Sequence, residues 1–457
     1  MPDPAFLRAA ASLGARLCRE AVWDGDRCNW MGDAQDAVNG QLAVVHRAQT
    51  PVLYDGTAGI GLFLARLFAA TGERPFRTAA LGALRQSLRA KDRVGAELRI
   101  ALHAGWTGMA WALAEAADTL GEDEWRAESA RLAAELRGID PHPLAVDVIS
   151  GSAGAIPVLL ELARRHGDDG LMENAVRHGE FLLDGARRGN DGWSWHTMDA
   201  PMRAPLTGYS HGAAGVALAL LELAAATGDE RFRAAADEGF RYEARWFSPE
   251  HGNWPDFRLF GDPAAAAAQP VSYAVAWCHG APGIGLSRLR AYELTGDADR
   301  RMEAEAALAT TARTLDAAVA TGAGFGFSLC HGDAGNAELP LLAARVLGDA
   351  SQAERAARVG RMGMERYLAT GAPWPCGVPG GGETPNLMLG LAGIGWFYLR
   401  LHDPSVPSVL LVHPRAACPA LPWPAEKAKN HFHAEGAEAA EYFIARRNSS
   451  AAPAPSA

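Results

Sequence analysis

The sequence predicts an all-α protein, an α/α toroid (a closed barrel) of about seven inner and seven outer helices. Three observations support this. A Gly-x-x-Gly element recurs seven times, with successive second glycines 46 to 68 residues apart. An apolar run follows each element, and most of these runs end in a Gly-acid turn before a more polar run. This spacing leaves room for two helices per unit, as in repeat architectures.

The glycine elements set the register of the repeat. They begin at Gly56, Gly105, Gly151, Gly212, Gly280, Gly332 and Gly390. Runs such as 216–223 are apolar almost all round, which predicts helices buried on most sides. In the turns that follow, glycine ends one helix and the acidic residue favours the start of the next. An open superhelix is the alternative, but it needs polar caps that the sequence does not show. Every glycine element precedes an inner helix, so all seven are expected at one end of the ring.

The chain divides into three parts. Residues 1–50 are predicted to form an N-terminal helix and loop packed on the barrel, and residues 51–412 the toroid. Residues 413–457 form a C-terminal extension whose Pro/Ala/Ser-rich last ten or so residues are expected to be disordered. A short helix is expected around 435–447. Strand signals are sparse and are expected only in loops such as 253–275.

Composition and charge exclude several classes of protein. The 457 residues carry a net charge of −10, which disfavours a nucleic-acid partner. The N-terminal helix is interrupted by arginines, so it is not a secretory signal. The most apolar run, 212–226, is too short to span a bilayer, so no membrane insertion is expected. These features predict a soluble cytoplasmic protein.

Two cysteines occur in near-copies of one motif. Cys278 and Cys330 both begin Cys-His-Gly-x-x-Gly, and the chain has only six cysteines. Two thiolates and the imidazole of His331 make a tetrahedral Zn²⁺ site with one position left open, which favours a catalytic zinc over a structural one. The alternative is a pair of buried cysteines with satisfied histidines. His279 is a competing ligand. The other four cysteines, Cys18, Cys28, Cys376 and Cys418, are expected to be structural or free thiols.

Two further residues are candidates for proton transfer. His211 stands immediately before its glycine element, as His279 and His331 do, so it should face the same cavity and can move a proton near neutral pH. Asp147 precedes the third glycine element by four residues and can orient His211 or bind substrate. A capping or core role is the alternative for both residues.

Several other polar and aromatic residues lie near the same end. His103, Asp333 and Glu338 are expected to be structural or capping residues. Tyr273 and several tryptophans fall in or near long loops and can line a peptide-binding cleft, although core packing is the simpler expectation for each. These tryptophans are Trp193, Trp195, Trp254, Trp277 and Trp374.

The glycine elements, together with Ser210-His-Gly-Ala-Ala-Gly215, Trp277-Cys-His-Gly280 and Leu329-Cys-His-Gly332, resemble the lanthionine synthetase C-like cyclases. The resemblance covers roughly residues 20–412. Residues 25–30 and 404–411 are most similar to the cyclase part of class II synthetases, here without a preceding dehydratase or kinase-like region. The resemblance implies an α/α toroid, zinc on Cys278, Cys330 and His331, an acid/base role for His211 and importance for Asp147.

The chain also departs from the family pattern. Many relatives have an arginine four residues before the first zinc cysteine, where this chain has Ala274, and a tyrosine is common where His279 stands. These departures bear on substrate recognition and proton handling more than on zinc binding.

The resulting hypothesis is a zinc-dependent cyclase acting on a dehydrated precursor peptide. It adds peptide cysteine thiols to dehydroalanine or dehydrobutyrine and so forms thioether rings. One alternative is addition of glutathione to dehydroamino acids in proteins. Another is a non-catalytic zinc scaffold for a separate dehydratase. A glycosidase on an α/α barrel would need a carboxylate pair across the cleft, and no convincing pair stands out.

Overall fold

The computed structural model describes residues 3–38, 41–259, 263–322 and 324–414. Helices dominate these residues, and they form two concentric rings. The inner helices are α2 (Thr57–Thr71), α4 (Trp106–Leu120), α6 (Ser152–His166), α8 (Ala213–Thr227), α11 (Ala281–Thr295), α13 (Asp333–Asn336) with α14 (Glu338–Val346), and α16 (Leu391–His402). The outer helices are α1 (Pro4–Glu20), α3 (Arg74–Ala90), α5 (Asp123–Leu136), α7 (Asp169–Asp184), α9 (Glu230–Arg245), α12 (Ala298–Thr321) and α15 (Ala350–Gly363). A short helix, α10, spans Pro263–Ala267.

The inner ring is closed. Each inner helix packs against the next, and α16 packs back against α2. Most inner helices also pack against the outer helix that follows them, whereas α16 packs against α1 from the other end of the chain. The predicted α/α toroid is therefore confirmed. The sixth inner helix breaks at Ala337 because Pro340 has no N–H and its ring crowds the carbonyl of residue 336.

The glycine elements lie where the sequence places them. The first glycine of each is the residue immediately before an inner helix. Most of these inner helices end at a left-handed glycine, such as Gly72 (φ 73°) or Gly228 (φ 73°). The predicted turns between inner and outer helices are thus present at both positions.

Strands occur within the described residues as three antiparallel hairpins. They pair β1 (Val22–Asp24) with β2 (Arg27–Asn29), β3 (Met31–Val38) with β4 (Gln41–Ala48), and β5 (Arg187–Gly189) with β6 (Gly192–Ser194). The expectation of strands in the loop 253–275 is wrong, because the described residues of that segment form isolated bridges and the short helix α10 but no strand. The strand registers leave two residues between the paired strands, and the sequence there is Gly25-Asp26, Asn39-Gly40 and Asn190-Asp191. Glycine, asparagine and aspartate are the residues that favour tight turns.

A ring of hydrogen bonds joins the seven glycine loops. At the residue two positions before each first glycine, the backbone carbonyl accepts a bond from a neighbouring loop. The bonds are Tyr54 N to His103 O (3.0 Å), His103 N to Ile149 O (3.2 Å), Val148 N to Ser210 O (3.1 Å), Ser210 Oγ to Cys278 O (2.9 Å), Cys278 N to Cys330 O (3.3 Å), Cys330 N to Met388 O (2.9 Å) and Met388 N to Tyr54 O (3.0 Å). Side chains one and two residues before the glycines are therefore gathered at one end of the toroid.

The segment 406–413 packs against the inner helices. Trp396 Nε1 donates to the carbonyl of Pro407 at 3.1 Å, and Trp277 Nε1 donates to that of Leu410 at 2.9 Å. Ser408 Oγ donates to Glu338 Oε2 at 2.9 Å. Residues 409–412 are buried. Through its Leu410 carbonyl, this segment fixes the side chain of Trp277, the residue before Cys278.

Buried ion pairs hold the inner helices together further from the glycine loops. Arg66 and Arg165 both pair with Glu115, Arg290 pairs with Glu222, and Arg400 pairs with Glu338. No helix in the described ranges is both long and apolar enough to cross a bilayer. The predicted disorder near the C-terminus and the predicted helix around 435–447 lie outside the described residues.

Candidate functional site

Two neighbouring glycine loops bring three metal-binding side chains together. The backbone bond from Cys278 N to Cys330 O holds the fifth loop against the sixth. Cys278, Cys330 and His331 each offer one ligand atom, and these atoms all lie within 4.8 Å of one another. Cys330 and His331 are adjacent in sequence, and both can face one point because they lie in the turn before α13. The predicted ligand residues are thus in one place.

The imidazole of His331 is fixed by the backbone. Its Nε2 lies 2.9 Å from the carbonyl oxygen of Gly377, which can only accept a hydrogen bond. Nε2 therefore carries the proton, and Nδ1 is the nitrogen left for a metal. Burial lowers the pKa of His331, but hydrogen bonding to the Cys278 thiolate and to Gly377 outweighs burial, so the pKa is raised overall.

A hydrogen bond between the two thiols shifts their pKa values in opposite directions. A hydrogen bond from Cys330 lowers the pKa of Cys278 well below its usual value, and His331 acts in the same direction against burial. The same hydrogen bond, together with burial, raises the pKa of Cys330. Tyr54, from the first glycine loop, contributes a hydroxyl hydrogen bond to the thiol of Cys330. The site is built to hold negative charge on sulfur.

His211 forms a pair with Asp147. Its Nδ1 lies 2.5 Å from Asp147 Oδ2. The other carboxylate oxygen accepts from Ser150 N at 2.7 Å and from Ser150 Oγ at 2.8 Å. Asp147 is buried, at 3% exposed, so it is locked in this orientation. Because Nδ1 faces the carboxylate, Nε2 of His211 is the nitrogen left to exchange a proton.

His279 lies between the two groups. Its ring stacks on that of His211 with centroids 5.6 Å apart and an interplanar angle of 27°. It is not part of the group of three ligand residues. Both of its ring nitrogens are buried without a hydrogen-bond partner among the described residues. Burial lowers the pKa of His279 to about 4, and the nearby charge of Arg258 acts in the same direction.

The remaining predicted residues have other surroundings. Tyr273 stacks face to face on His251, with centroids 3.8 Å apart, and lies outside the ligand group. His103 is buried between Tyr54 and Trp277, and burial lowers its pKa to about 3. Glu338 forms an ion pair with Arg400 Nε at 2.8 Å. Among the tryptophans, Trp195, Trp254, Trp277 and Trp374 are buried and Trp193 is half-buried.

Sequence reasoning missed four contributors to this site. Tyr54 stands two residues before Gly56, the loop position that Cys278 and Cys330 occupy in their own loops, so the repeat register identifies it. Ser150 is found by its proximity to Asp147. No local pattern marks the Gly377 carbonyl. The same is true of Arg258, whose Nη2 is held 2.6 Å from the buried carboxylate of Asp256.

Sequence comparison assigns the family. The model of the family described as "Lanthionine synthetase C-like protein" matches residues 48–411. The chain belongs to this family. As a lanthionine synthetase C-like protein, it carries the Cys278, Cys330 and His331 group and the Asp147–His211 pair at the same end of its toroid.

Several solved structures align with this lanthionine synthetase C-like chain. A structure described as nisin cyclase aligns with a TM-score of 0.57 and 18% identity, covering 78% of this chain and 90% of that one. A GH76 α-mannanase of Bacteroides thetaiotaomicron aligns at 0.46 with 11% identity, covering 87% and 96%. An unsaturated glucuronyl hydrolase of Bacillus sp. GL1 aligns at 0.44 with 14% identity, covering 89% and 98%.

Proposed function

We propose that this chain is a zinc-dependent cyclase that adds peptide cysteine thiols to dehydroalanine or dehydrobutyrine in the same peptide. The observation that carries the proposal is the meeting of two groups at one end of the toroid. Cys278, Cys330 and His331 lie within metal-binding distance of one another. The Asp147–His211 pair reaches the same place, because the ring of His211 stacks on the residue next to Cys278.

The donor set fits zinc. Two thiols and an imidazole nitrogen are ligands that zinc prefers, and three protein ligands leave a position for substrate. The Gly377 carbonyl orients His331, as backbone acceptors commonly do for metal-bound histidines. Tyr54 offers a hydrogen bond to Cys330. When bound, zinc would lower the pKa of a peptide thiol so that the thiolate is available near neutral pH.

The chain's own residues handle the proton. In the addition, a carbon–sulfur bond forms at the β-carbon, the carbon–carbon π bond breaks, and a proton must reach the α-carbon. His211 Nε2 can take up the thiol proton and deliver it to the α-carbon, so no external acid is needed. Asp147 holds the tautomer with the proton on Nδ1, and Ser150 holds Asp147. The loops hold the thiol and the alkene close together, and this positioning supplies the remaining acceleration of the reaction.

We also propose which substrate the chain acts on and which activity supplies that substrate. The substrate is a dehydrated precursor peptide, and a dehydratase activity must supply it. The likeness of residues 25–30 and 404–411 to class II synthetases supports a precursor of that class. Ring formation within one peptide, rather than addition of glutathione, is the reaction we propose.

Removing one metal ligand tests the proposal. Cys330→Ala should lose bound zinc and ring formation, because two ligands hold zinc weakly. The matched control is Cys28→Ala, which removes another buried thiol that lies outside the ligand group and should retain both properties. The probe is a peptide with one dehydroalanine and one cysteine. Zinc is measured by elemental analysis, and ring formation by loss of reactivity toward N-ethylmaleimide in mass spectra.

Two outcomes would overturn the proposal. Ring formation by a folded, zinc-free Cys330→Ala protein would separate the chemistry from the proposed metal site. A product heavier by one glutathione, formed in preference to the ring when both routes are offered, would favour the alternative reaction. Circular dichroism of each variant checks that loss of activity is not loss of fold.

A further inference from the structure

A cavity of about 450 Å³ lies beside the metal-ligand loops, between helix α12 and the segments that precede Cys278 and surround His331. Its lining residues include His251, Tyr273, Arg313, Phe325 and Asp333. Tyr273 is five residues before Cys278, and Asp333 is two residues after His331. The volume lies within the range of small-molecule binding pockets.

Asp333 is an unusual member of this lining. Its residue is 2% exposed, and its Oδ1 is buried with no hydrogen-bond partner among the described residues. It follows the first glycine of the sixth loop, yet its side chain makes no capping bond to α13. Buried carboxylates in folded proteins are normally paired or hydrogen-bonded, because an unpaired charge destabilises the fold. Asp333 therefore has unused hydrogen-bonding capacity in the wall of this cavity.

The basic side chains nearby do not neutralise this carboxylate. Arg313, on the α12 wall, is exposed, and its Nη2 donates to Thr310 Oγ1 at 3.0 Å. Arg366 lies within electrostatic reach of Asp333 but forms no ion pair with it in the described part of the chain. The negative charge of Asp333 is therefore available to a group that enters the cavity.

Aromatic side chains complete the lining. Tyr273 is held flat against His251, with ring centroids 3.8 Å apart and an interplanar angle of 8°. Phe325 is 84% exposed. Aromatic faces attract cations, and they do so most strongly where water is excluded. A buried carboxylate with aromatic neighbours is suited to a protonated amine or a guanidinium.

We propose that this cavity binds a lysine or arginine side chain of the peptide substrate, with Asp333 as its ionic partner. The inference rests on the proposed function for the identity of the ligand as a peptide. Because the cavity lies beside both metal-ligand loops, it would select peptides that carry a basic residue near the reacting cysteine. Asp333 and Tyr273 would then be specificity residues rather than participants in bond formation.

A binding experiment tests this without relying on ring formation. The probe is an N-acetylated, fluorescein-labelled decapeptide of glycine and serine with one central lysine, which has no thiol and no alkene. Its partner has norleucine in place of lysine. The wild-type protein should bind the lysine peptide about tenfold more tightly in fluorescence anisotropy, and Asp333→Asn should remove that difference. Asp299→Asn, which removes an exposed charge from α12, should leave it unchanged.

Thermal stability supplies a second measurement. Asp333→Asn should raise the melting temperature, because the variant no longer buries an unpaired charge. A lower melting temperature would show that Asp333 is a structural residue and would overturn the inference. Equal binding of both peptides by the wild-type protein would also overturn it, and so would a lysine preference that survives in Asp333→Asn.

Further measurements distinguish a side-chain cation from a terminal ammonium. They also distinguish failure of this inference from failure of the proposed function. A peptide with a free N-terminal amine and norleucine tests whether a terminal ammonium binds instead of a side chain, and binding of this peptide alone would overturn the side-chain assignment. A wild-type protein that forms rings but binds the lysine and norleucine peptides equally would contradict only this inference.

Discussion

The imidazole of His211 is oriented by the carboxylate of Asp147, which Ser150 in turn holds in place. Asp147 accepts two hydrogen bonds from Ser150 through one oxygen and faces His211 Nδ1 through the other. The histidine has no freedom to choose a tautomer, so its outer nitrogen is always the one that faces away from the carboxylate. This arrangement resembles the way a general base is oriented in hydrolases, although the reaction proposed here is an addition.

Asp147→Asn tests the orientation of His211. The amide should bind the wrong tautomer or rotate the ring, so kcat for ring formation should fall by about 10²- to 10⁴-fold, the usual range for general acid–base catalysis. Bound zinc should be unchanged, because Asp147 lies outside the ligand group. Ser150→Ala is the matched control. It removes one of two donors to Asp147 and should lower kcat by less than about tenfold. Equal activity of Asp147→Asn and wild type would show that the pair is structural.

Individual site residues were predictable to different extents. The repeat of Cys-His-Gly identified Cys278, Cys330 and His331, because equivalent loops of a closed ring are neighbours. The same register contained Tyr54, which was missed because tyrosine is not a typical zinc ligand. The Gly377 carbonyl could not be predicted. It reaches His331 through a loop whose path depends on packing rather than on any local pattern.

At the scale of the element, the second glycine of each loop permits close packing of the loop on its helix. An added Cβ at these glycines would lie between 1.7 and 2.2 Å from the carbonyl oxygen six residues earlier. The affected glycines are Gly59, Gly108, Gly154, Gly215, Gly283, Gly335 and Gly393. Their repetition is thus a steric requirement of the turn, and it explains why the repeat could be found in the sequence.

Gly335→Ala tests this requirement at the metal loop. The new Cβ would lie 1.7 Å from the carbonyl oxygen of Leu329, so backbone must shift, and the free energy of unfolding should fall by about 3–5 kcal/mol. Gly138→Ala is the control, because nothing lies within 4 Å of its added Cβ, and it should change stability by less than about 0.5 kcal/mol. Urea denaturation measures both. A small change in the free energy of unfolding for Gly335→Ala would mean that the loop can accommodate the added Cβ without destabilising the fold.

Elements outside the repeat were harder to predict. The N-terminal helix α1 was expected to pack on the barrel, but nothing in its sequence specified α16 as its partner. The two helices lie at opposite ends of the described chain and meet only because the ring closes. The burial of the segment 406–413 was similarly unpredictable. The carbonyls of this segment serve as acceptors for Trp277 and Trp396, and backbone acceptors leave no trace in the sequence.

At the scale of the whole molecule, closing the ring buries many titratable groups. Burial lowers the pKa of five histidines, His103, His166, His178, His279 and His413. It raises the pKa of Glu243 to about 7 and of Asp333 to about 6. The histidines make the fold less stable as the pH falls below about 6.5, and the two carboxyl groups act in the opposite direction. Because the histidines outnumber them, the net effect should be a loss of stability in acid.

His178 allows this effect to be measured at one residue remote from the metal loops. It is fully buried, with Nδ1 2.9 Å from Ser152 Oγ and Nε2 3.2 Å from the carbonyl oxygen of Ile139. Burial lowers its pKa to about 4. The unfolded chain therefore binds a proton between about pH 6.5 and 4 that the folded chain does not. The stability contributed by neutral His178 is complete above pH 6.5 and is lost as the pH falls through that window, by at most about 3 kcal/mol.

His178→Gln should flatten the dependence of stability on pH. Glutamine can still accept from Ser152 and donate to Ile139 but does not titrate, so the difference in unfolding free energy between pH 7 and pH 4.5 should shrink by about 2–3 kcal/mol. Urea denaturation at each pH measures the difference. His196→Gln is the control, because His196 is exposed, and it should leave the slope as in the wild type. An unchanged slope in His178→Gln would show that proton uptake at this buried site does not drive acid unfolding. The loss would then have to arise at other buried groups, and the same measurement with and without zinc would show how much of it belongs to His279, beside the metal loops.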